Sequence, residues 1–224
     1  MKKLICLVLV LVCSFALFSC GDKNGDGGSV NSKVETISKI VSESVPTKIV
    51  TQSEYVIGDE TLTGQYTNEI DRTRGNERLT FVYTRYAKIE EMSPSPIKTL
   101  SGVVRKNKEG NYSCDGDEWK AGDATAYLPL ALNIDEARFA SYEISEDGTD
   151  LTAEIAPAES KRTLGTDIDA EGNITLKIQT NGQYLYEVEV SYTAKDTGAL
   201  VVILTSYDYS QIKLDFAAEE LEQG

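Results

Sequence analysis

The chain has 224 residues, 41% hydrophobic and 26% charged, which fits one globular domain with its own core and short flanking segments. Acidic residues number 36 against 22 basic ones, a formal net charge of -14 with no basic block, so nucleic acid is excluded as a partner and an anionic surface would repel the body. Histidine is absent, which removes any Ser-His-Asp or Cys-His nucleophile pair and any His-ligated zinc.

In chain order, Lys2 and Lys3 precede an apolar run from Leu4 to Val12, and the segment closes at Cys20. A positive start and a short apolar stretch form an export signal, because the cations stay on the cytoplasmic side while the run partitions into the bilayer. Leu17-Phe18-Ser19-Cys20 resembles the bacterial lipobox, in which a branched and a small residue precede a cysteine that receives a diacylglyceryl thioether before cleavage. Phe18 departs from that pattern, where a small or β-branched residue is usual. The resemblance implies cleavage after Ser19, lipidation of Cys20 with palmitate-type chains, and an exported protein anchored to a bacterial membrane at the cell envelope, on its periplasmic or outer face. Buried acyl chains contribute about 0.8 kcal/mol per CH₂, so two or three chains on one cysteine make a stable anchor.

Residues 1–19 are therefore read as a lipoprotein signal peptide, 20–32 as the lipidated cysteine and a flexible glycine-rich tether, and 33–224 as one β-rich domain with an acidic tail. Asp22, Asn24 and Asp26 before Gly27 imitate the first half of a calcium loop, but the twelfth position is Lys33 where a bidentate glutamate is required, so the segment reads as linker. Cys6 and Cys13 lie in the leader, so the mature body keeps only Cys114 and has no internal disulfide. Beside Asp115, Asp117 and Glu118 the Cys114 thiolate is disfavoured, which argues against a nucleophile.

Val34, Ile37, Ile40 and Val41 recur at helical spacing and predict an amphipathic helix over Lys33 to Val45, capped by Asn31 or Ser32 and ended by Pro46. The period then changes. Lys48 to Tyr55, Thr61 to Ile70 and Glu77 to Ile89 are rich in Thr, Tyr, Val and Ile and read as successive antiparallel strands. Pro94 and Pro96 mark a break, and a hairpin of Thr99 to Lys106 with Tyr112 to Trp119 follows. Ala121 to Ala140 predicts a short helix or two. Beyond it, Leu151, Ala153 and Ile155, then Ile174, Leu176 and Ile178, then Tyr184 to Tyr192 alternate with period two. Asn181-Gly182 and Asp196-Thr197-Gly198 supply hairpin turns, and Leu200 to Leu204 reads as a strand buried on both faces. Phe216 to Gly224 reads as a frayed acidic helix.

The predicted class is thus α+β and β-rich, with an N-terminal amphipathic helix, a curved antiparallel sheet resembling a half-barrel, and a short helical insertion. This order of elements is similar to that of the LolA/LolB and LprG/LppX group of periplasmic lipid- and lipoprotein-binding proteins. The matching pieces are the opening helix, the turn Cys114-Asp115-Gly116-Asp117-Glu118-Trp119, the insertion Leu128 to Phe139, and Tyr142 to Leu151 leading into the final strands. That group builds a curved half-barrel over an apolar cavity, and the resemblance implies a lipid, an acyl group or another apolar molecule as ligand.

The acidic groups Glu90-Glu91, Asp115/Asp117/Glu118 and Glu219-Glu220 are what an acid-rich chain produces without function, so no catalytic residue, metal or cofactor is assigned. Tyr184, Tyr186, Val188, Val190 and Tyr192 are the candidate ligand-lining residues, read as one face of one strand; ordinary aromatic packing within a sheet explains the tyrosines more simply. The expected function is a non-enzymatic binding module. The alternative is a structural or envelope protein that recognises a protein partner through a sheet edge or an aromatic patch, with no small ligand.

Overall fold

A computed structural model describes residues 29–58, 60–86, 96–108, 112–116 and 130–216; the leader, Cys20, the calcium-loop imitation, Glu90-Glu91, Asp117, Glu118 and the tail from 217 lie outside the described residues. Helix α1 (Ser29–Glu43) is followed by β1 (Lys48–Ile57), β2 (Glu60–Asp71), β3 (Asn76–Tyr86), β4 (Pro96–Lys106) and β5 (Tyr112–Gly116). A 3-10 turn (Glu136–Arg138) leads into β6 (Phe139–Ile144) and β7 (Asp150–Ile155). A second 3-10 turn (Pro157–Glu159) and the short helix α2 (Ser160–Leu164) precede β8 (Ile174–Thr180), β9 (Leu185–Thr193) and β10 (Leu200–Asp208).

All ten strands form one antiparallel sheet in the order β5-β4-β3-β2-β1-β10-β9-β8-β7-β6, curved and unclosed. Two meanders, β1 to β5 and β6 to β10, are joined by the pairing of the first strand with the last. Cross-strand partners share a face, so the register defines a continuous inner row: Ile144, Leu151, Ile178, Val188, Thr205, Thr51, Tyr66, Phe81 and Gly102. The outer face carries paired charges, with Lys177 Nζ 2.7 Å from Glu189 Oε1 and Arg78 Nε donating to Glu69 Oε2 at 2.7 Å.

Helix α1 lies across the inner face at one end of the sheet. Lys33 Nζ donates to the Glu146 carbonyl in the β6–β7 turn, and the backbone N–H of Leu185, at the start of β9, donates to Ser44 Oγ. Its apolar stripe, Val34 and Ile37, is buried against Leu151, Leu176, Ile178, Val188 and Val190. Each side chain so covered contributes about 1.5–3 kcal/mol relative to exposure. The rest of the inner face, over β1 to β4, is outside this cluster and carries buried Ile49, Tyr66, Phe81 and Val104.

The chain after β10 is clasped to the β2–β3 turn. Asp71, buried, accepts from the backbone N–H groups of Thr73 and Arg74 through Oδ1 and of Leu214 through Oδ2. The Leu214 N–H, then those of Arg74 and Thr73, hold its carboxyl below the usual carboxylate range against the opposing effect of desolvation. Asn76 Nδ2 donates to the Leu214 carbonyl, and Arg74 pairs with Asp215.

Several expectations need correction. Within the expected helical insertion, 130–135 is irregular, a single 3-10 turn follows, and Phe139 already begins β6. Among the described residues of this half the short helix is α2, ended by Gly165 at φ +77, and 121–129 of the expected insertion lie outside the described residues. Leu200 to Leu204 is paired on both sides yet not buried on both faces: Val201 is fully buried while Leu200 is 52% exposed, because one sheet surface faces solvent. Pro96 begins β4 rather than preceding it, a position where a missing N–H is tolerated.

Candidate functional site

Three inner rows meet where β9, β10, β1, β2 and β3 pass the middle of the sheet and approach the end opposite α1. The first is Tyr192, Val201, Tyr55 and Leu62; the second is Val190, Ile203, Ser53, Gly64 and Tyr83; the third is Val188, Thr205, Thr51, Tyr66 and Phe81. Small side chains fill the centre of the lower two rows. Thr51 and Thr205 share a hydroxyl hydrogen bond of 3.1 Å, which satisfies them without a charge.

The centre is thus a low floor between an aliphatic wall (Val188, Val190, Ile203) and an aromatic one. Tyr83 packs edge-on to Tyr66 with ring centroids 5.3 Å apart, and its tilted contact with Phe81 is 6.3 Å. Gly64 keeps an ordinary strand φ; what it supplies is space, since a Cβ there would stand 2.9 Å from Tyr83 Cε1 and 2.7 Å from Ser53 Oγ. The ring of Tyr83 lies over the glycine of its cross-strand partner.

Tyr55, Tyr83 and Tyr192 are half-buried, and Leu62 is 38% exposed, so the rows grade from closed core to an accessible apolar rim. Burial first, then the neighbouring Tyr55 phenol and Asp196, push the Tyr192 hydroxyl above its ordinary value. The register carries the first row on from Leu62 to Arg85 and Lys98, so cationic positions flank the rim. Among the described residues no group of three His, Cys, Asp or Glu side chains could hold a metal ion.

Of the sequence-derived lining residues, Val188, Val190 and Tyr192 share the inner face, with both valines fully buried. Tyr184 and Tyr186 do not. A β-bulge pairs Thr180 with Leu185 and Gln179 with Glu187, so Tyr186 has no partner and turns outward; Leu185 is buried in its place. Tyr184 lies in the β8–β9 turn. Sequence reasoning missed Tyr55, Leu62 and Tyr83, although the alternation of Ser53, Tyr55 and Ile57 across a Gly58 turn from Leu62 and Gly64 carried the signal. The backbone of Cys114 sits in β5, opposite Val104.

Fold and site together define an open antiparallel sheet with a helix across one end and a partly aromatic inner surface beyond it. No protein-family model and no curated protein sequence matches the chain. Solved structures similar to it include a DUF1329 family protein from Desulfovibrio piger, at 9% identity over 86% of this chain and 99% of that one, TM-score 0.31. A LolA superfamily protein from Nitrosomonas europaea aligns at 11% identity over 86% and 97%, TM-score 0.28, and a hypothetical protein from Chlamydia trachomatis at 10% over 82% and 98%, TM-score 0.25. No residue and no activity is carried from these to the present chain.

Proposed function

We infer that this protein is an exported lipoprotein, held at a bacterial membrane through Cys20, that shelters a lipid, an acyl group or another apolar ligand on the inner face of its sheet without catalysis. One observation carries the reading. Helix α1 covers the inner face over β7 to β9, and beyond it the same face carries the aromatic side chains of Tyr66 and Phe81 beside the small Thr205, Thr51, Ser53 and Gly64, ending in the accessible rim of Tyr55, Leu62, Tyr83 and Tyr192. Aromatic side chains on a face that α1 leaves uncovered offer the surface an apolar ligand would use.

An aromatic surface with hydroxyls at its edge suits an acyl chain whose head remains near water. Native mass spectrometry of the mature chain with Cys20→Ser, purified from cells, tests the ligand. A co-purified apolar mass supports the reading; a bare chain that also takes up no added fatty acid contradicts it and favours a protein partner. Metabolic labelling with palmitate, expected for the native chain and lost with Cys20→Ser, tests the anchor separately.

A further inference from the structure

At the α1 end of the sheet, three elements leave aromatic and aliphatic surface in water. Val45, just past α1, is 59% exposed; Tyr186, at the bulge of β9, is 58% exposed; Tyr184, in the β8–β9 turn, is 38% exposed. They are neighbours. Ser44 Oγ accepts from the Leu185 backbone N–H at 2.9 Å, which sets Val45 beside the bulge. Tyr184 stacks on Tyr209 at 4.7 Å between centroids, and Tyr209 donates its hydroxyl to the Leu185 carbonyl at 2.7 Å. The patch is thus braced from β10 as well as from β9. Ile57, Leu62, Val82 and Leu200 are further exposed apolar strand positions, but at Tyr186 a bulge turns a tyrosine ring into water beside two more exposed apolar side chains, a grouping that calls for a partner.

We propose that Val45, Tyr184 and Tyr186 form a docking face for the lipid headgroup layer of the membrane that holds the chain. The proposal rests on the Cys20 anchor inferred above and adds an orientation to it. Residues 21–28 are the whole of the chain between Cys20 and α1, so their extended reach is roughly 30 Å. Helix α1 is about 21 Å long and runs from the β6–β7 turn to the start of β9, so the start of α1 and the patch belong to the same end of the sheet. A tether attached at this end brings it to the bilayer with less extension than the far end, which lies a further strand length of about 30 Å away.

Charge favours the same orientation. The described connections at this end carry Arg72, Arg74, Lys108 and Lys213 against Glu146, Asp147 and Asp215. At the far end, 156–173 and 194–199 carry five acids against three bases, so the more anionic of the two ends points away from the headgroups. Tyrosine is suited to the layer itself, where its ring meets the acyl boundary and its hydroxyl meets water. The same orientation directs the rim of Tyr55 and Leu62 away from the anchoring membrane.

The mature chain has two cysteines, Cys20 and Cys114, which permits a direct test. With Cys114→Ser, Cys20 is coupled through maleimide either to a lipid in phosphatidylcholine vesicles or to a soluble polyethylene glycol, and tyrosine oxidation by hydroxyl radicals is followed by mass spectrometry. Oxidation of Tyr184 and Tyr186 is expected to slow by roughly threefold or more on vesicles, as for rings entering the headgroup layer, while Leu200 at the far end is unchanged. In the Tyr184→Ser/Tyr186→Ser double variant, the protection of Val45 seen on vesicles is lost. Equal rates on vesicles and on the soluble polymer overturn the proposal. So does protection on the soluble polymer that grows with protein concentration, which assigns the patch to a second copy of the chain. Because the coupling is chemical, the result is independent of whether cells lipidate Cys20, which the palmitate labelling reads by itself.

Discussion

Gly64→Ala puts the packing of the inner face to a quantitative test. The new Cβ would stand 2.7 Å from Ser53 Oγ and 2.9 Å from Tyr83 Cε1, where about 3.4 Å is the ordinary limit, so the ring must retreat by about 0.5 Å. It retreats against Tyr66 and Phe81, its two aromatic neighbours. Overpacking of this kind costs about 1–3 kcal/mol, and replacing a strand glycine returns about 0.5–1 kcal/mol, leaving a net loss of about 0.5–2 kcal/mol. In a Tyr83→Ala background the ring is gone and Ser53 Oγ can rotate aside, so Gly64→Ala becomes neutral or slightly stabilising. Urea unfolding of the four proteins, followed by circular dichroism, should give a coupling energy of about 1–2 kcal/mol. Additivity within about 0.4 kcal/mol would refute the claim that the ring lies over the glycine.

Ile37→Ala removes a fully buried side chain from the helix that covers β7 to β9 and should cost about 2–5 kcal/mol in urea unfolding. Gly165→Ala meets both a left-handed backbone, φ +77, and a Cβ contact of 2.7 Å with Ala131 Cβ, so it should lower the unfolding midpoint more than Gly172→Ala, which has φ +84 and open space. Asp71 has a folded pKa below its unfolded value, so the stability it contributes is present above the unfolded pKa, near 3.8, and is lost as pH falls through the lower folded value. Wild type should therefore lose stability in that acid window more steeply than Asp71→Asn; parallel curves would show that the clasp is not ionic.

The strand pattern was legible because inward residues alternate with polar ones: Leu151, Ala153 and Ile155, and Ile174, Leu176 and Ile178, all occupy the buried face that their period predicts. The helix was legible from Val34 and Ile37, although it starts at Ser29. What alternation could not reveal was its own interruption. The bulge opposite Gln179 and Thr180 shifts the phase by one residue, moving Tyr186 to solvent and Leu185 into the core, and no side chain in the sequence announces it. The apolar run Tyr127 to Ile134 suggested a helix, but Ala131 and Asn133 donate their backbone N–H groups to Leu164 and Thr163, so tertiary hydrogen bonds replace helical ones in that part. The inner aromatic rim escaped notice because Tyr55, Leu62, Tyr83 and Tyr192 come from four strands and meet only through register.

The most direct test of the binding claim is a titration of the mature chain, with Cys20→Ser, by a dansyl-labelled fatty acid, comparing wild type with Leu62→Glu. Leu62 is accessible enough to tolerate a charge without unfolding, and a carboxylate there would disfavour an acyl chain on the rim. Saturable binding of one probe per chain, weakened by about tenfold or more in the variant at an unchanged urea midpoint, is the predicted result. Binding that does not saturate, or that is the same in both proteins, would contradict it.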